Sequence, residues 1–334
     1  MDLTPAAVAA AFDLGRPLGT WHSPSNGDAP TDTRVLATTR GRWVVRTDRL
    51  LSDWHREQAH RVHRLQHMAL ASGIEMPRPV EPPSPAVGYW HRHDDGTVVR
   101  VSSWLDGHDL RRVGPEHVDH AQAAEWTGRT LARIAALDTT GGNLPAPHPL
   151  EEWQEWIAEA QAGSLPVAAP ARTLLPLVAD ATALVREAMR NAPASTLVHG
   201  DTSRANVLRT PNGYALIDWE TARTDVPWWE AVNVAFRFAT PFNGPTADAD
   251  PRTVRPLLAA YLDAGGPGGP ADATAFAGLL RSQLAATAWC LWLALGHRGA
   301  DADQRAFGTR IVTAAARDMP GVLSSLRPWT ALLR

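Results

Sequence analysis

The stretch LVHGDTSRANVLRTPNGYALIDWE, residues 197–220, sets two short β-like runs about a tight turn inside a region that otherwise reads as helix. NVLR and YALI flank TPNG, where Pro211, Asn212 and Gly213 are turn formers, so the segment predicts a hairpin. A third extended run, TLV, precedes His199 and delivers Asp201 into a loop five residues ahead of Asn206. With the turn centred near Asn212, Val207 faces Ile217 across the ladder, and Asn206 faces Asp218 at the open end. Oxygen-bearing groups of Asp201, Asn206 and Asp218 then converge on one small volume. A fold for this chain has to accommodate that hairpin end.

The flanking regions differ in texture. Over 17–106, the runs PLGTWH, TRVLATT, RWVVRT and TVVRVSSWL cluster β-branched and aromatic residues between turn signals. One helix interrupts them at 51–71, opened by Ser52 or Asp53, with apolar residues at Trp54, Val62, Leu65, Met68 and Ala69, and stopped at Gly73. The Pro-rich MPRPVEPPSP that follows leads into the next strand. A sheet of about five strands with one helix results. Beyond LDGHDL, residues 116–138, 149–161 and 172–191 read as helices, and four more helical stretches run from about 227 to the C-terminus. At 334 residues the chain exceeds one core of usual size. The expected fold is α+β and bilobal: a sheet-containing N-terminal lobe over 1–105 and a larger, mostly helical lobe over 106–334, with the boundary near 105–109.

The net charge of -3 supplies no electrostatic footprint for nucleic acid. The single cysteine, Cys290, excludes an intramolecular disulfide and sits in AATAWCLWLAL, where a buried inert thiol is expected. The start, MDLTPAAVAAAFDLG, has Asp2 where a signal peptide carries positive charge, and reads as a capped amphipathic helix. The longest uncharged stretch, 282–296, falls short of the roughly 20 residues of a membrane span. These features predict a soluble cytoplasmic protein without nucleic-acid or membrane partners, and leave monomer and homodimer both open. All 32 basic residues are arginine, so no mechanism that needs a lysine ammonium is open to this chain.

Taken singly, Asp201 and Ser203 are turn formers, Asn206 opens a strand and Asp218 caps a turn. Taken together, in HGDxxxxN followed by IDWE, they suit one chemistry. Magnesium is a hard cation that uses one or two protein oxygen groups plus substrate phosphates, and Asn206 with Asp218 supplies them. A carboxylate that does not chelate, Asp201, is then placed to take the proton of an attacking hydroxyl. The arrangement points to metal-assisted phosphoryl transfer.

These residues resemble the aminoglycoside phosphotransferase and choline kinase family, whose fold is similar to that of protein kinases. The likeness covers most of the chain: RWVVRT resembles the strand of the ATP-binding lysine, WHREQAHRVHRL the helix of its glutamate partner, and VSSWLDG the hinge. The resemblance implies Asp201 as catalytic base, His199 as a support for its loop, Asn206 and Asp218 as Mg2+ ligands, and ATP or GTP as co-substrate. It places Arg46 at the lysine position, with Glu57 as its partner. Ser25, Asn26 and Gly27 fall in the nucleotide-covering loop, and Ser103, Trp104 and Leu105 at the hinge that meets the base. Arg46 departs from the family pattern, because its longer planar fork is not interchangeable with an ammonium. Glu230 in TDVPWWEA stands where the family has aspartate, and is read as structural.

The implied reaction moves the γ-phosphate to a hydroxyl of an aminoglycoside, macrolide or choline-type acceptor. Two other readings stay open: a kinase acting on Ser or Thr of a peptide in natural-product biosynthesis, and, given Arg46 and the glycine-poor loop, a catalytically silent binding module. Glu151, Glu152, Glu155 and Glu159 either attract a polyamine or form a solvated helix face, and Trp228, Trp229, Trp289 and Trp292 lie in the region expected to frame an acceptor.

Overall fold

The computed structural model describes residues 3–23, 33–49, 52–93, 96–112, 120–137, 139, 141–241 and 244–334. In chain order the elements are α1 (Pro5–Ala11), β1 (Thr33–Thr38), β2 (Gly41–Arg49), α2 (Asp53–Ala71), β3 (Ala86–Val87), β4 (Trp90–Arg92), β5 (Thr97–Ser103) and β6 (His108–Asp109). There follow α3 (His120–Ala135), α4 (Leu150–Ala162), α5 (Ala168–Arg190), β7 (Thr196–Val198), β8 (Val207–Thr210), β9 (Gly213–Leu216), β10 (Arg223–Asp225), α6 (Pro227–Ala239), α7 (Pro251–Asp263), α8 (Ala277–Leu295) and α9 (Ala302–Trp329). They divide into two compact units, 1–118 with 199–223, and 119–198 with 224–334.

The first unit holds an antiparallel sheet of five strands, the number expected, in the order β1-β2-β5-β4-β3. PLGTWH contributes no strand, only single bridges from Pro17 to Thr38 and from His22 to Val35. Pro17 has no N–H to donate to a ladder, and the short β3 and β4 complete the sheet instead. Alternation along the strands assigns the two faces. Leu36, Val45, Val99 and Val101 turn to one side, where Val8 of α1 and Phe12 just beyond it cover them. The intervening residues Val44, Arg46, Arg100 and Ser102 line a cleft on the other side. Arg46 and Arg100 are direct partners in the β2–β5 register, so two guanidinium groups project side by side from the middle of that face.

Helix α2 begins where its cap predicts: the Ser52 hydroxyl accepts from the His55 N–H, and Gly73 beyond the C-terminus has φ +77°. Its buried stripe is Ala59, Val62, Leu65, Gln66 and Ala69. Fully burying Val62 or Leu65 contributes about 1.5–3 kcal/mol each. Trp54, expected on this stripe, is instead 59% exposed and lies edge-on to His55 in the first turn.

A second antiparallel sheet, β6-β8-β9, contains the predicted hairpin. Its register differs by one residue from the expectation: Val207 pairs with Leu216, and Thr210 with Gly213. Pro211 and Asn212 alone form the loop, because the fixed φ of proline takes the corner and Gly213, at φ +126°, already belongs to the returning strand. Asn206 therefore meets Ile217, whose N–H donates to its carbonyl at 2.9 Å, and Asp218 lies one step beyond the ladder.

The second unit carries α3 to α9, including the four helices expected after residue 227. Helix α6 is buried nearly all round, with Trp228 and Trp229 at 3% and 1% exposure, and Glu230 inside as well, accepting from the Asn233 side chain. Helix α5 is long and apolar enough, by length and composition, to cross a membrane. Its stripe of Ala171, Leu174, Val178, Ala181, Val185 and Ala188 is taken up by packing on α4, α8 and α9, as in the core helix of a globular unit. Cys290 is buried, and burial pushes its thiol up to about 11.

Candidate active site

The loop after β7 is shaped by Gly200 and His199. Gly200 has φ +84°, and a Cβ there would lie 2.3 Å from the Thr221 carbonyl oxygen, so only glycine fits between the two loops. His199 is fully buried: Nε2 lies 3.0 Å from the Ile217 carbonyl, and Nδ1 accepts from the Asp201 N–H at 3.3 Å. Those two roles require the neutral Nε2–H tautomer. Burial, the largest influence, pushes this imidazole down to about 4, so the neutral form is the stable one near pH 7. The ring also meets Trp219 edge-on at 4.8 Å. His199 thus ties the Asp201 loop to the segment that carries Asp218.

Asn206 Nδ2 donates to both the Asp201 carbonyl, at 2.7 Å, and its carboxylate Oδ2, at 2.9 Å. The amide nitrogen is thereby committed to Asp201, and Oδ1 is directed the other way. Both Asn206 and Asp218 line the cleft. Asp218 has φ 64° and ψ 63°, a left-handed conformation that costs a non-glycine residue about 1–3 kcal/mol. An amide oxygen and a carboxylate are the donor types that a hard divalent cation takes, so the pair fits magnesium chemically.

Arg46 does not meet Glu57. Glu57 is exposed on the outer side of α2, 3.9 Å from Arg61, because it falls off the buried stripe of the helix. Arg46 instead places Nη1 2.9 Å from Asp218 Oδ1 and 2.7 Å from Glu220 Oε2, while its Nε donates to Thr33 Oγ1 at 3.1 Å. Arg100 Nη1 contacts Glu220 Oε1 at 2.7 Å, and its Nη2 donates to Gln66 Oε1 at 2.8 Å. Gln58 of α2 donates to the carbonyls of Glu220 and Ala222, fixing the backbone of the same segment. Burial, helped by the neighbouring Glu220 carboxylate, pushes Asp218 up to about 7 against the pull of Arg46. Burial also works against a charge on Glu220, yet Arg46 and Arg100 together hold it well below the usual carboxylate range.

The cleft has a volume of about 840 Å³ and lies wholly within the first unit. Arg46, Arg100, Asn206, Asp218 and Glu220 line it, as do Ser103, Trp104 and Leu105. The Ser103 and Trp104 N–H groups donate to the carbonyls of Arg78 and Arg42, whereas the backbone groups of Leu105 take no hydrogen bond among the described residues. The Trp104 ring is held beneath the Arg42 guanidinium, 4.6 Å away, with Nε1–H on Asp106. Ser25, Asn26 and Gly27 lie outside the described residues. The sequence reading missed the roles of Glu220, Arg100, Gln66 and Gln58. Glu220 stood in the quoted IDWE, but its partners come from the sheet and from α2.

The family model described as phosphotransferase enzyme family matches residues 22–276, most of the chain and all of this cleft. The chain belongs to that family. Solved structures similar to this phosphotransferase include a spectinomycin phosphotransferase in complex with ADP and spectinomycin, 11% identical over 91% of this chain and 94% of that one, with a TM-score of 0.60. An amicoumacin kinase in complex with AMP-PNP and Ca2+ is 12% identical over 93% and 92%, with a TM-score of 0.59. An aminoglycoside phosphotransferase from Alicyclobacillus acidocaldarius subsp. acidocaldarius is 15% identical over 99% and 97%, with a TM-score of 0.58. No curated protein matches the chain at a significant level. The phosphotransferase is therefore a kinase-type enzyme with the α+β kinase-like fold expected from its sequence.

On the helical unit, Trp228 and Trp229 are core residues, while Trp289 is 44% exposed. Of the acidic set on α4, Glu152 pairs with His148 and Glu159 with His297, both near the surface.

Proposed function

We propose that this phosphotransferase moves the γ-phosphate of ATP or GTP to a hydroxyl of a small natural-product-like acceptor, of aminoglycoside, macrolide or choline type, in the cytoplasm. The observation that carries the reading is the Asp201–Asn206 pair: one amide nitrogen donates to both the backbone carbonyl and the carboxylate of Asp201, fixing that carboxylate, and turns its own oxygen away from it. Asp201 then accepts the proton of the attacking hydroxyl, and its bond to Asn206 Nδ2 holds the carboxylate in one orientation for that transfer. His199, neutral and buried, keeps the two loops in register. Asn206 Oδ1 and the Asp218 carboxylate would hold Mg2+, whose chemistry is to neutralise phosphate charge in transfer. Arg46 presents a cation to the phosphates from the sheet face, with Arg100 beside it holding Glu220, and the unused Leu105 backbone groups suit the edge of a base. The similar structures with ADP and spectinomycin, and with AMP-PNP, support a nucleotide and a small-molecule acceptor.

The test is direct. Purified protein with Mg2+ and either nucleotide is offered a panel of hydroxyl-bearing amines, macrolides and small alcohols, and mass spectrometry follows addition of one phosphate. Nucleotide binding by calorimetry together with one phosphorylated acceptor is the expected result; absence of binding for both nucleotides would sink the reading.

A further inference from the structure

The Arg46 guanidinium stands where a cation bound by Asp218 would stand. Its Nη1 is within 2.9 Å of Asp218 Oδ1 and 2.7 Å of Glu220 Oε2 at once, so one positively charged nitrogen bridges two carboxylates. The contact to Glu220 is close but not aligned as a hydrogen bond, and Oε2 is buried without a donor. The anchors around this nitrogen are unequal. Glu220 is held a second time by Arg100, whereas Arg46 is the one cation paired with Asp218 among the described residues. Arg46 itself keeps Nε on Thr33, and its Nη2 takes no hydrogen bond among the described residues while the side chain lines the cleft.

We propose that Arg46 is an internal counter-cation of this site: it neutralises Asp218 in the nucleotide-free protein and releases it when nucleotide phosphates take over the guanidinium. The inference rests on the phosphotransferase reading above and adds an order to it, in which metal enters with the nucleotide and not before it. A divalent ion approaching Asp218 alone meets a fixed positive charge already seated on the carboxylate. A phosphate changes that, because it offers Nη2 a charge-assisted partner and then competes for Nη1. An arginine is suited to this exchange, since its fork can engage phosphate at one nitrogen while another still holds Asp218; a single ammonium has no such division. Arg100 keeps Glu220 in place, so the exchange is confined to Asp218. Arg46 is in this sense a positioning residue for the metal ligand. Linkage makes the effect reciprocal: whatever factor nucleotide contributes to metal affinity, metal contributes to nucleotide affinity.

Mn2+ binding to the whole protein, read by electron paramagnetic resonance with and without ADP or GDP, tests this. Saturating nucleotide should tighten Mn2+ binding to the wild type by about tenfold or more, and Arg46→Gln should bind Mn2+ without nucleotide about tenfold tighter than wild type. Arg46→Met, which keeps an unbranched apolar stem, is the second variant should the first fold poorly. A gain of metal affinity on removing a cation is not what a merely structural arginine gives. The proposal is overturned if neither variant gains Mn2+ affinity, or if a nucleotide that demonstrably binds leaves the wild-type Mn2+ affinity unchanged. If no nucleotide binds the wild type by calorimetry, the phosphotransferase reading fails instead, and the Mn2+ gain in the variants still decides the role of Arg46.

Discussion

In the hairpin segment the chemically important groups are held by close neighbours in sequence: Asn206 grips Asp201 five residues away, and His199 grips the Asp201 N–H two residues away. On the sheet face the partners come from far along the chain. Arg46 is 172 residues from Asp218, and Arg100 is 120 residues from Glu220. A local arrangement is written in spacing, because turn geometry alone brings its members together. A distant one depends on strand register and on which stripe a helix turns inward, and a substitution can shift the partnership without disturbing either element. Lysine is absent from the chain, and the carboxylates that meet Arg46 are Asp218 and Glu220, not the Glu57 that the resemblance implies.

The largest expected effect belongs to the local half. Asp201→Asn keeps the shape of the side chain but removes the proposed proton acceptor, and kcat should fall by about 10²–10⁴-fold. Nucleotide affinity should stay within a few-fold of wild type, because phosphate contacts are assigned to the sheet face. A variant with near-normal turnover would break the contrast at its strongest point.

His199 supplies the next. Its imidazole is held neutral at about 4, below the ordinary value near 6.5 in an unfolded chain, so the unfolded state binds a proton more readily between those values. The contribution to stability is therefore fully present above about pH 6.5 and is lost as pH falls toward 4. The difference corresponds to about 3 kcal/mol. Denaturant unfolding from pH 7.5 to 4 on wild type and on His199→Gln should show a steeper acid loss in the wild type. Parallel curves would mean that the buried ring does not govern acid sensitivity.

How much of this was legible follows the same division. The strands β1, β2 and β5, α2 with its Ser52 cap and Gly73 stop, and the helices after residue 227 could be read because periodicity and caps are local signals, whereas the two- and three-residue β3 and β4 are too short to show a period and PLGTWH forms no strand. The hairpin was legible too, but its register was off by one, since nothing local decides whether Pro211 and Asn212 alone make the turn. Trp54 was assigned to the core by type, and only packing could show that the first turn of α2 overhangs. Glu220 was visible as a letter in IDWE without a role, because its meaning lies in two arginines that the β2–β5 pairing sets side by side.

Arg100 and Gln66 sharpen the distant half. Arg100→Gln removes one of two cations from Glu220 and leaves Gln66 without its donor. A fully buried pair broken on one side costs about 3–5 kcal/mol; Glu220 keeps Arg46 and some contact with water, so about 1–3 kcal/mol is expected. The loss should appear in the denaturation midpoint, and should shrink in an Arg100→Gln, Glu220→Gln double variant because the uncompensated carboxylate is gone. Strict additivity would show that the two residues do not act on each other.

The smallest effect is the most discriminating. Glu57 occupies the helix that, by resemblance, supplies the partner of the phosphate-binding cation, yet it is exposed and its nearest cation is Arg61 at 3.9 Å. An exposed pair at that distance contributes little, so Glu57→Gln should change stability by less than about 0.5 kcal/mol and leave nucleotide affinity unaltered. Glu220→Gln should alter both. If Glu57→Gln instead weakened nucleotide binding as much as Glu220→Gln, α2 would have to rotate to bring Glu57 onto Arg46 when nucleotide binds. The Arg46–Glu220 contact would then belong to the empty state alone. Equal behaviour of the two variants would thus replace a rewired partnership with a helix movement, and unequal behaviour excludes it.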